Sequence, residues 1–568
     1  MNARLSQAKV VAPQYYIYKP DTLEVFRVGE LCAVATASNV PTPPAADDLA
    51  SSAICTYGPE VRFHAVPEVA KAIKAYYRAN PRFIWVGSER INANARAAIT
   101  ALMRSDRFGL SASDYSVPLP TVRPGGDEER IKALVQFEFS LSTAVLTYAL
   151  DATRGRIDPN RISGYHDIQR KHVDLLPILQ ALAETERADE YLETLHPNNR
   201  EFQALVKELA NQRIAKSKQV EVPAGTFIRP GEADPALAKL VAAMRSVGSE
   251  SLKRDHKDAL AQYAGQEEYD PHLVALVRDF QREQGLHPDG IIGPKTLRAL
   301  NDASPKAKVK KLELALERLR WLPQDFGSRY VFLNQPAFTV VYHAAGREPV
   351  RMRAIIGEAS SQTYFFADKI EAVEYNPYWN VPRSIIVNEM IPKLYRDPSY
   401  LDRLGYEVIA SSGRKVSSSA VDWSAVAENK RSINVRQAPG KQNALGQLKI
   451  EFPNKHAIYM HDTPDKELFK QPVRTFSHGC VRLERPRILA AALLKTTPDH
   501  IDSRIADGAN DSEPVGEIPV YIAYFTAWPN EKGKVEYYAD VYDRDAHLAS
   551  AVVRTEAARA ASHREASQ

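Results

Sequence analysis

At 568 residues the chain is too long to fold around one hydrophobic core, so three or more domains are expected. Its 44% hydrophobic and 25% charged content is that of globular protein, and a net charge of +4 without a dense Lys/Arg block gives no ground for a nucleic-acid partner. Three cysteines exclude a disulfide-rich scaffold.

No stretch reaches the ~18–20 apolar residues of a membrane span. The first thirty residues show no apolar segment flanked by basic residues, so no export signal is readable there; "LCAVATA" (31–37) is the nearest approach. Cys32 and Cys55 are close enough in sequence to pair in an oxidising compartment, or they are unrelated thiols.

Residues 36–60 are rich in Pro, Ala, Ser and Thr, and 1–60 reads as a disordered arm or linker. From 61 to 220 the pattern is helical. Val69, Ile73, Tyr76 and Tyr77 share one face, as do Ile99, Leu102 and Met103, and "EERIKALVQFEFSLSTAVLTYALDATRGRI" is apolar enough for a central helix. This predicts an all-helical domain. After a Pro/Gly-rich joint at 221–235, Leu273, Leu276, Val277 and Phe280 form another apolar helix face, Gly285 stops that helix, and Pro294 starts the next. Residues 307–323 predict a connecting helix with Leu312, Leu316 and Leu319 on one side. From 324 to 545 the period shortens to two, with β-branched and aromatic content, which predicts a mainly-β domain. Helical pieces interrupt it at 384–403 and 486–495. The tail 546–568 reads as a frayed helix or disorder.

Chemistry concentrates at "SHGC" (477–480). A thiol attacks as thiolate, and a free cysteine is only a few per cent ionised at neutral pH. A nearby imidazole takes the proton. A turn with a small residue such as Gly479 lets a carbonyl approach and aims N–H groups at its developing oxyanion. His461 ends a predicted strand, "IYMHDTP", upstream of Cys480. A buried core cysteine, a zinc site from His461, His478 and Cys480, and a disulfide to Cys32 or Cys55 stand as alternatives to a cysteine nucleophile.

The phrase "HDTPDKELFKQPVRTFSHGCVRL" resembles the signature of the L,D-transpeptidase (YkuD) catalytic domain, and "VRDFQREQGLHPDGIIGPKTLRAL" resembles the peptidoglycan-binding type 1 module. The layout resembles the larger Gram-negative L,D-transpeptidases. The resemblance implies a multidomain α+β protein: a helical scaffold domain (61–220), a three-helix peptidoglycan-binding module (232–302), and a YkuD-like catalytic domain (324–545) whose segment at about 376–440 caps the cleft. It implies Cys480 as acyl-accepting nucleophile and His461 as the base. His478 would shape the loop and support charge, and Gly479 with the Cys480 N–H would form the oxyanion hole. Arg482 would contact a substrate carboxylate or form a structural ion pair. Ser477 and Tyr459 would add hydrogen bonds, while Trp379 and Tyr378 would line the donor site or pack in the core.

The implied reaction is attack on the diaminopimelate–D-Ala amide of a tetrapeptide stem, then transfer to a diaminopimelate amine, giving a 3→3 cross-link. Water, a D-amino acid or a protein amine are alternative acceptors, and a non-catalytic wall-binding scaffold is the alternative from another class. No metal or cofactor is implied. Peptidoglycan is the implied partner, carbapenem-type β-lactams the implied inhibitors, and the periplasm the implied location. Members normally carry an N-terminal anchor or signal, which this sequence does not display.

Overall fold

The computed structural model describes residues 10–32, 48–87, 90–120, 127–216, 220, 222–223, 225–261, 265 and 267–566. The Pro-rich stretch 36–47 lies outside them. The expectation of a disordered arm over 1–60 is corrected at 10–32 and 48–60, and its remainder, 1–9 and 33–47, lies outside the described residues. Glu24–Arg27 (β1) pairs antiparallel with Arg62–Ala65 (β2). Phe26, Val28, Leu31 and Ile54 are buried in the helical core, and Cys32 is disulfide-bonded to Cys55. A handful of apolar side chains fixes a segment whose overall composition reads as linker.

The scaffold core gathers around Asp127–Arg154 (α1), which buries Val135, Phe139, Val145 and Tyr148. This helix corrects the reading of the sequence for membrane spans: by length and composition it could cross a bilayer, but 67% of its most apolar window is buried inside the protein. At its middle, Glu138 is fully buried, and burial raises its pKa to about 7. It accepts hydrogen bonds from Tyr77 Oη (2.6 Å) and from the Ile84 and Trp85 amides (2.5 and 2.9 Å), so the polar group is satisfied rather than orphaned. Met103, expected on the buried face of Ala93–Met103, is 70% exposed at the helix end.

In the next module, helices Ala236–Val247, Pro271–Glu283 and Pro294–Asp302 enclose a core of Leu240, Leu276, Val277, Phe280 and Leu300. The FQ…DG.IG..T phrase has a physical basis. Buried Gln281 donates to Asp289 Oδ1 (2.9 Å), the Ile291 carbonyl (3.1 Å) and Thr296 Oγ1 (3.0 Å), and accepts from the Gly290 amide (2.8 Å). One side-chain amide thus fastens the turn between two helices.

Helix Pro305–Trp321 (α2) is capped by Ser304, whose hydroxyl accepts from the Ala307 amide at 3.2 Å. Helix Arg200–Lys216, the last helix of the 61–220 region, packs on α2. Its Phe202, Leu205 and Leu209 join the same core as the β-sheet that follows. The apolar side of α2 is wide enough to hold both the sheet and this helix.

The sheet contains Arg329–Asn334 (β3), Thr339–Ala344 (β4), Val350–Gly357 (β5), Phe365–Tyr375 (β6), Leu448–Glu451 (β7), Met460–His461 (β8), Thr475–Ser477 (β9), Val481–Leu483 (β10) and Asp511–Ala523 (β11). Its order is β7–β8–β10–β5–β4–β3–β11–β6, with the short scaffold strand His166–Asp167 added in parallel on the start of β6, and β6 also pairs back onto β7, so hydrogen bonding closes on itself. Strand β9 sits off this path against the end of β5. Residues Ala527–Pro529 and Val535–Tyr537 form an antiparallel hairpin around "NEKGK".

Between β6 and β7 a separate subdomain is inserted. Its four strands, Trp379–Asn380, Tyr406–Ala410, Lys415–Val416 and Ile433–Gln437, form their own sheet. Its own core includes Ile386, Met390, Leu401, Val408 and Trp423. Within it, Ile386–Met390 forms a π-turn, a local widening often found where side chains must be aimed at a site.

The tail is an ordered helix, Arg544–Ala566 (α3), not a frayed end. Arg544 donates to Gln362 Oε1 (3.0 Å) and the Thr363 carbonyl (2.7 Å). Fifteen residues on (559 − 544), Arg559 bonds Asp114 (3.0 Å) and Asp151 (2.6 and 3.0 Å) in the scaffold. Buried arginine hydrogen bonds hold the start of this helix and buried ion pairs its later turns, and these leave little hydrophobic periodicity to read.

Candidate active site

Strands β8 and β10 run parallel, with Met460 opposite Val481 and His461 opposite Arg482. Met460, Val481 and Leu483 are fully buried on the core side. Strand alternation therefore places Tyr459, His461, Cys480 and Arg482 together on the other face. These four residues, with Ser477, His478, Gly479 and Trp379, line one cleft of about 350 Å³. Tyr378 does not line it: the Arg436 guanidinium covers its ring, 4.3 Å from the centroid.

His461 is 4% exposed. Its Nδ1 lies 2.5 Å from the Asp462 carbonyl, which can only accept, so Nδ1 carries the proton and Nε2 is left as an acceptor. Burial first, and then the Arg482 cation, lower its pKa to about 3. The imidazole is neutral at every physiological pH. Asp462 is itself fixed: its carboxylate accepts from the Gln447 amide (3.1 Å) and Lys466 Nζ (2.6 Å).

Cys480 is half-buried, and it is a free thiol. Burial pushes the thiol up, while hydrogen bonds from Tyr459 and the cations Lys449 and Arg482 act in the opposite sense. Its Sγ lies 3.7 Å from the Ala457 carbonyl. A depressed imidazole and a raised thiol mean that the resting pair is neutral, not a thiolate–imidazolium pair. Such a thiol ionises as it attacks, and the neutral imidazole is the group able to take its proton.

Ser477 closes the loop before Cys480. Its buried hydroxyl donates to the Cys480 carbonyl (2.5 Å) and accepts the Gly479 N–H (3.2 Å). The Gly479 N–H, expected at an oxyanion hole, is therefore occupied, whereas the Cys480 N–H has no partner among the described residues. Gly479 adopts φ +115°, a left-handed conformation that side chains disfavour. The Gly479 carbonyl accepts from Thr363 Oγ1 at 2.8 Å.

His478 points to the cap: its Nε2 is 2.7 Å from Glu389 Oε1 in the π-turn. Among the described residues no group of three His, Cys, Asp or Glu is arranged to hold a metal. Among the described residues Arg482 has a single ion pair, to Asp465 at 3.4 Å, and its buried Nε has no partner. The guanidinium keeps donors available toward the cleft. Tyr459 interacts with both Trp379 and Cys480, and Lys449 Nζ sits 5.0 Å from its ring centroid.

Sequence reasoning missed Asp462, Asn388, Glu389 and the segment Val10–Pro13, which also lines the cleft. The adjacency of His461 and Asp462 was a visible signal. The others reach the site only through tertiary structure.

Residues 328–502, which contain the whole Cys480 loop, match the family model described as "L,D-transpeptidase catalytic domain". The chain carries an L,D-transpeptidase catalytic domain of the YkuD type. Residues 71–209 match the "Scaffold domain" and 257–300 match the "Putative peptidoglycan binding domain". A Haemophilus influenzae protein named "Putative L,D-transpeptidase" is 32% identical over 305 residues, 51% of this chain and 61% of the relative. The chain thus spans about three fifths of that relative's length. Within the matched residues, the inserted subdomain lies between β6 and β7, and the Cys480 loop and His461 come from the closed sheet.

Proposed function

We propose that this protein is a peptidoglycan L,D-transpeptidase working outside the cytoplasm. The observation that carries the reading is the parallel pairing of β8 and β10, which sets a neutral, Nδ1-protonated His461 and the Cys480 thiol on one face of an open cleft. The Cys32–Cys55 disulfide fits an oxidising compartment.

Cys480 Sγ attacks the carbonyl of the diaminopimelate–D-Ala amide as His461 Nε2 takes the thiol proton. The Cys480 N–H receives the developing oxyanion. Collapse breaks the C–N bond, the imidazolium returns the proton to the departing D-Ala amine, and a thioester remains. A diaminopimelate amine of a second stem then attacks the thioester, losing its proton to His461 and regenerating the thiol. Arg482 holds a stem carboxylate, and the peptidoglycan-binding module keeps the enzyme on the wall.

The test is incubation of purified protein with tetrapeptide muropeptides, read by mass spectrometry. The expected products are free D-Ala and dimers joined between diaminopimelates. Cys480→Ala should form neither an acyl-enzyme nor an adduct with a carbapenem while melting as the wild type does. Dimers made by Cys480→Ala would overturn the mechanism. Tripeptide without dimers would make water the acceptor.

A further inference from the structure

The wall of the cleft facing the cap is formed by the chain's own N-terminal segment, Val10, Val11, Ala12 and Pro13. It is held unevenly. From Gln14 onward it is anchored: the Gly164 amide donates to the Gln14 carbonyl (3.0 Å) and the Tyr16 amide to Ile162 (2.8 Å). The Tyr15 ring stacks 3.8 Å from that of His547, and its hydroxyl reaches Gln362 Oε1 (2.9 Å). Before Pro13 the hydrogen bonds among the described residues come from a single side chain of the cap. Asn388 Oδ1 accepts the Val10 N–H (3.1 Å) and Asn388 Nδ2 donates to the Val10 carbonyl (3.2 Å). Val10 and Val11 are 40% and 74% exposed, so apolar burial contributes little to this end.

A side-chain amide that meets both the N–H and the C=O of one residue imitates a neighbouring strand. It reads extended backbone and ignores the side chain. Asn388 precedes Glu389, the partner of His478, in the π-turn. The same turn therefore addresses both the nucleophile loop and a peptide lying in the cleft.

We infer that Asn388 is a peptide-backbone-binding residue of the substrate cleft, and that Val10–Pro13 is a tethered occupant of the path an extended stem peptide takes to Cys480. This rests on the transpeptidase reading for the identity of the peptide, but not for the occlusion. A backbone reader suits a stem peptide, whose mixed L and D centres break the regular side-chain alternation of a strand.

Two measurements separate the parts. Cys480 is the only free thiol among the described cysteines, so labelling is read by intact mass. Removing residues 1–13, or Asn388→Ala in the full chain, should speed labelling by a bulky fluorescein maleimide tenfold or more. Iodoacetamide, which is small, should change less than twofold. Adding a synthetic peptide of residues 8–16 to the shortened protein should slow the maleimide again. Equal or slower maleimide labelling in both variants would overturn the occlusion. In the shortened protein, Asn388→Ala should raise the KM for tetrapeptide muropeptide at least fivefold with iodoacetamide labelling unchanged. An unchanged KM would overturn the peptide-binding role. If no muropeptide is turned over by any variant, the transpeptidase reading fails, and rescue of Asn388→Ala labelling by Asn388→Gln still decides the backbone contact.

Discussion

Replacing His461 with Gln tests the resting state of the site through stability. His461 has a folded pKa of about 3 against 6.5 when unfolded. Above pH 6.5 neither state carries its proton, and the residue adds no pH dependence. Below 6.5 the unfolded chain binds a proton that the folded chain refuses, so stability falls by about 1.4 kcal/mol per pH unit until the folded pKa is reached. Between pH 7 and pH 5 the loss is about 2 kcal/mol. His461→Gln removes it. His166 and His196, also buried with their pKa values lowered, contribute equally to both proteins and cancel. Denaturant unfolding at pH 7, 6 and 5, followed by hydrogen exchange in peptides from β8 and β10, measures the difference. The variant should gain about 2 kcal/mol relative to wild type on going from pH 7 to 5. Parallel acid losses in the two proteins would refute a neutral buried imidazole, and with it the assignment of the base.

Three further outcomes are expected. In Gly446→Ala the new Cβ would lie 2.5 Å from the Asp462 carboxyl at φ +62°, so stability should drop by at least about 2 kcal/mol and Cys480 acylation should slow; calorimetry and intact-mass kinetics check both. Cys32→Ser with Cys55→Ser opens a loop of sequence separation 23 and should lower scaffold stability by about 3 kcal/mol without changing iodoacetamide labelling of Cys480. Arg559→Met leaves Asp114 and Asp151 buried without their shared cation, which should cost about 3–5 kcal/mol at pH 7 and less as the pH falls and Asp114, whose pKa burial already raises, takes up a proton.

The nucleophile loop and the helix faces of the central modules were legible because short-range chemistry sets them. Gly285, Pro294 and the buried stripe from Leu273 to Phe280 behave as their spacing dictates. The fate of Gly479 was not legible, because its N–H is consumed by Ser477, a bond that exists only once the loop has turned. Likewise His478 and Arg482 differ by what faces them: Glu389 from an insertion and Asp465 from a connecting loop. The ordered ends of the chain were hidden for opposite reasons. The first depends on a few apolar residues in a polar background, and the last on arginines that look solvent-bound in one dimension.

The terminal helix α3 begins against the Gln362–Thr363 loop, whose Thr363 hydroxyl holds Gly479, and ends between two scaffold carboxylates. A tilt of the scaffold against the sheet would therefore have to be taken up by this helix or by the loop that holds Gly479.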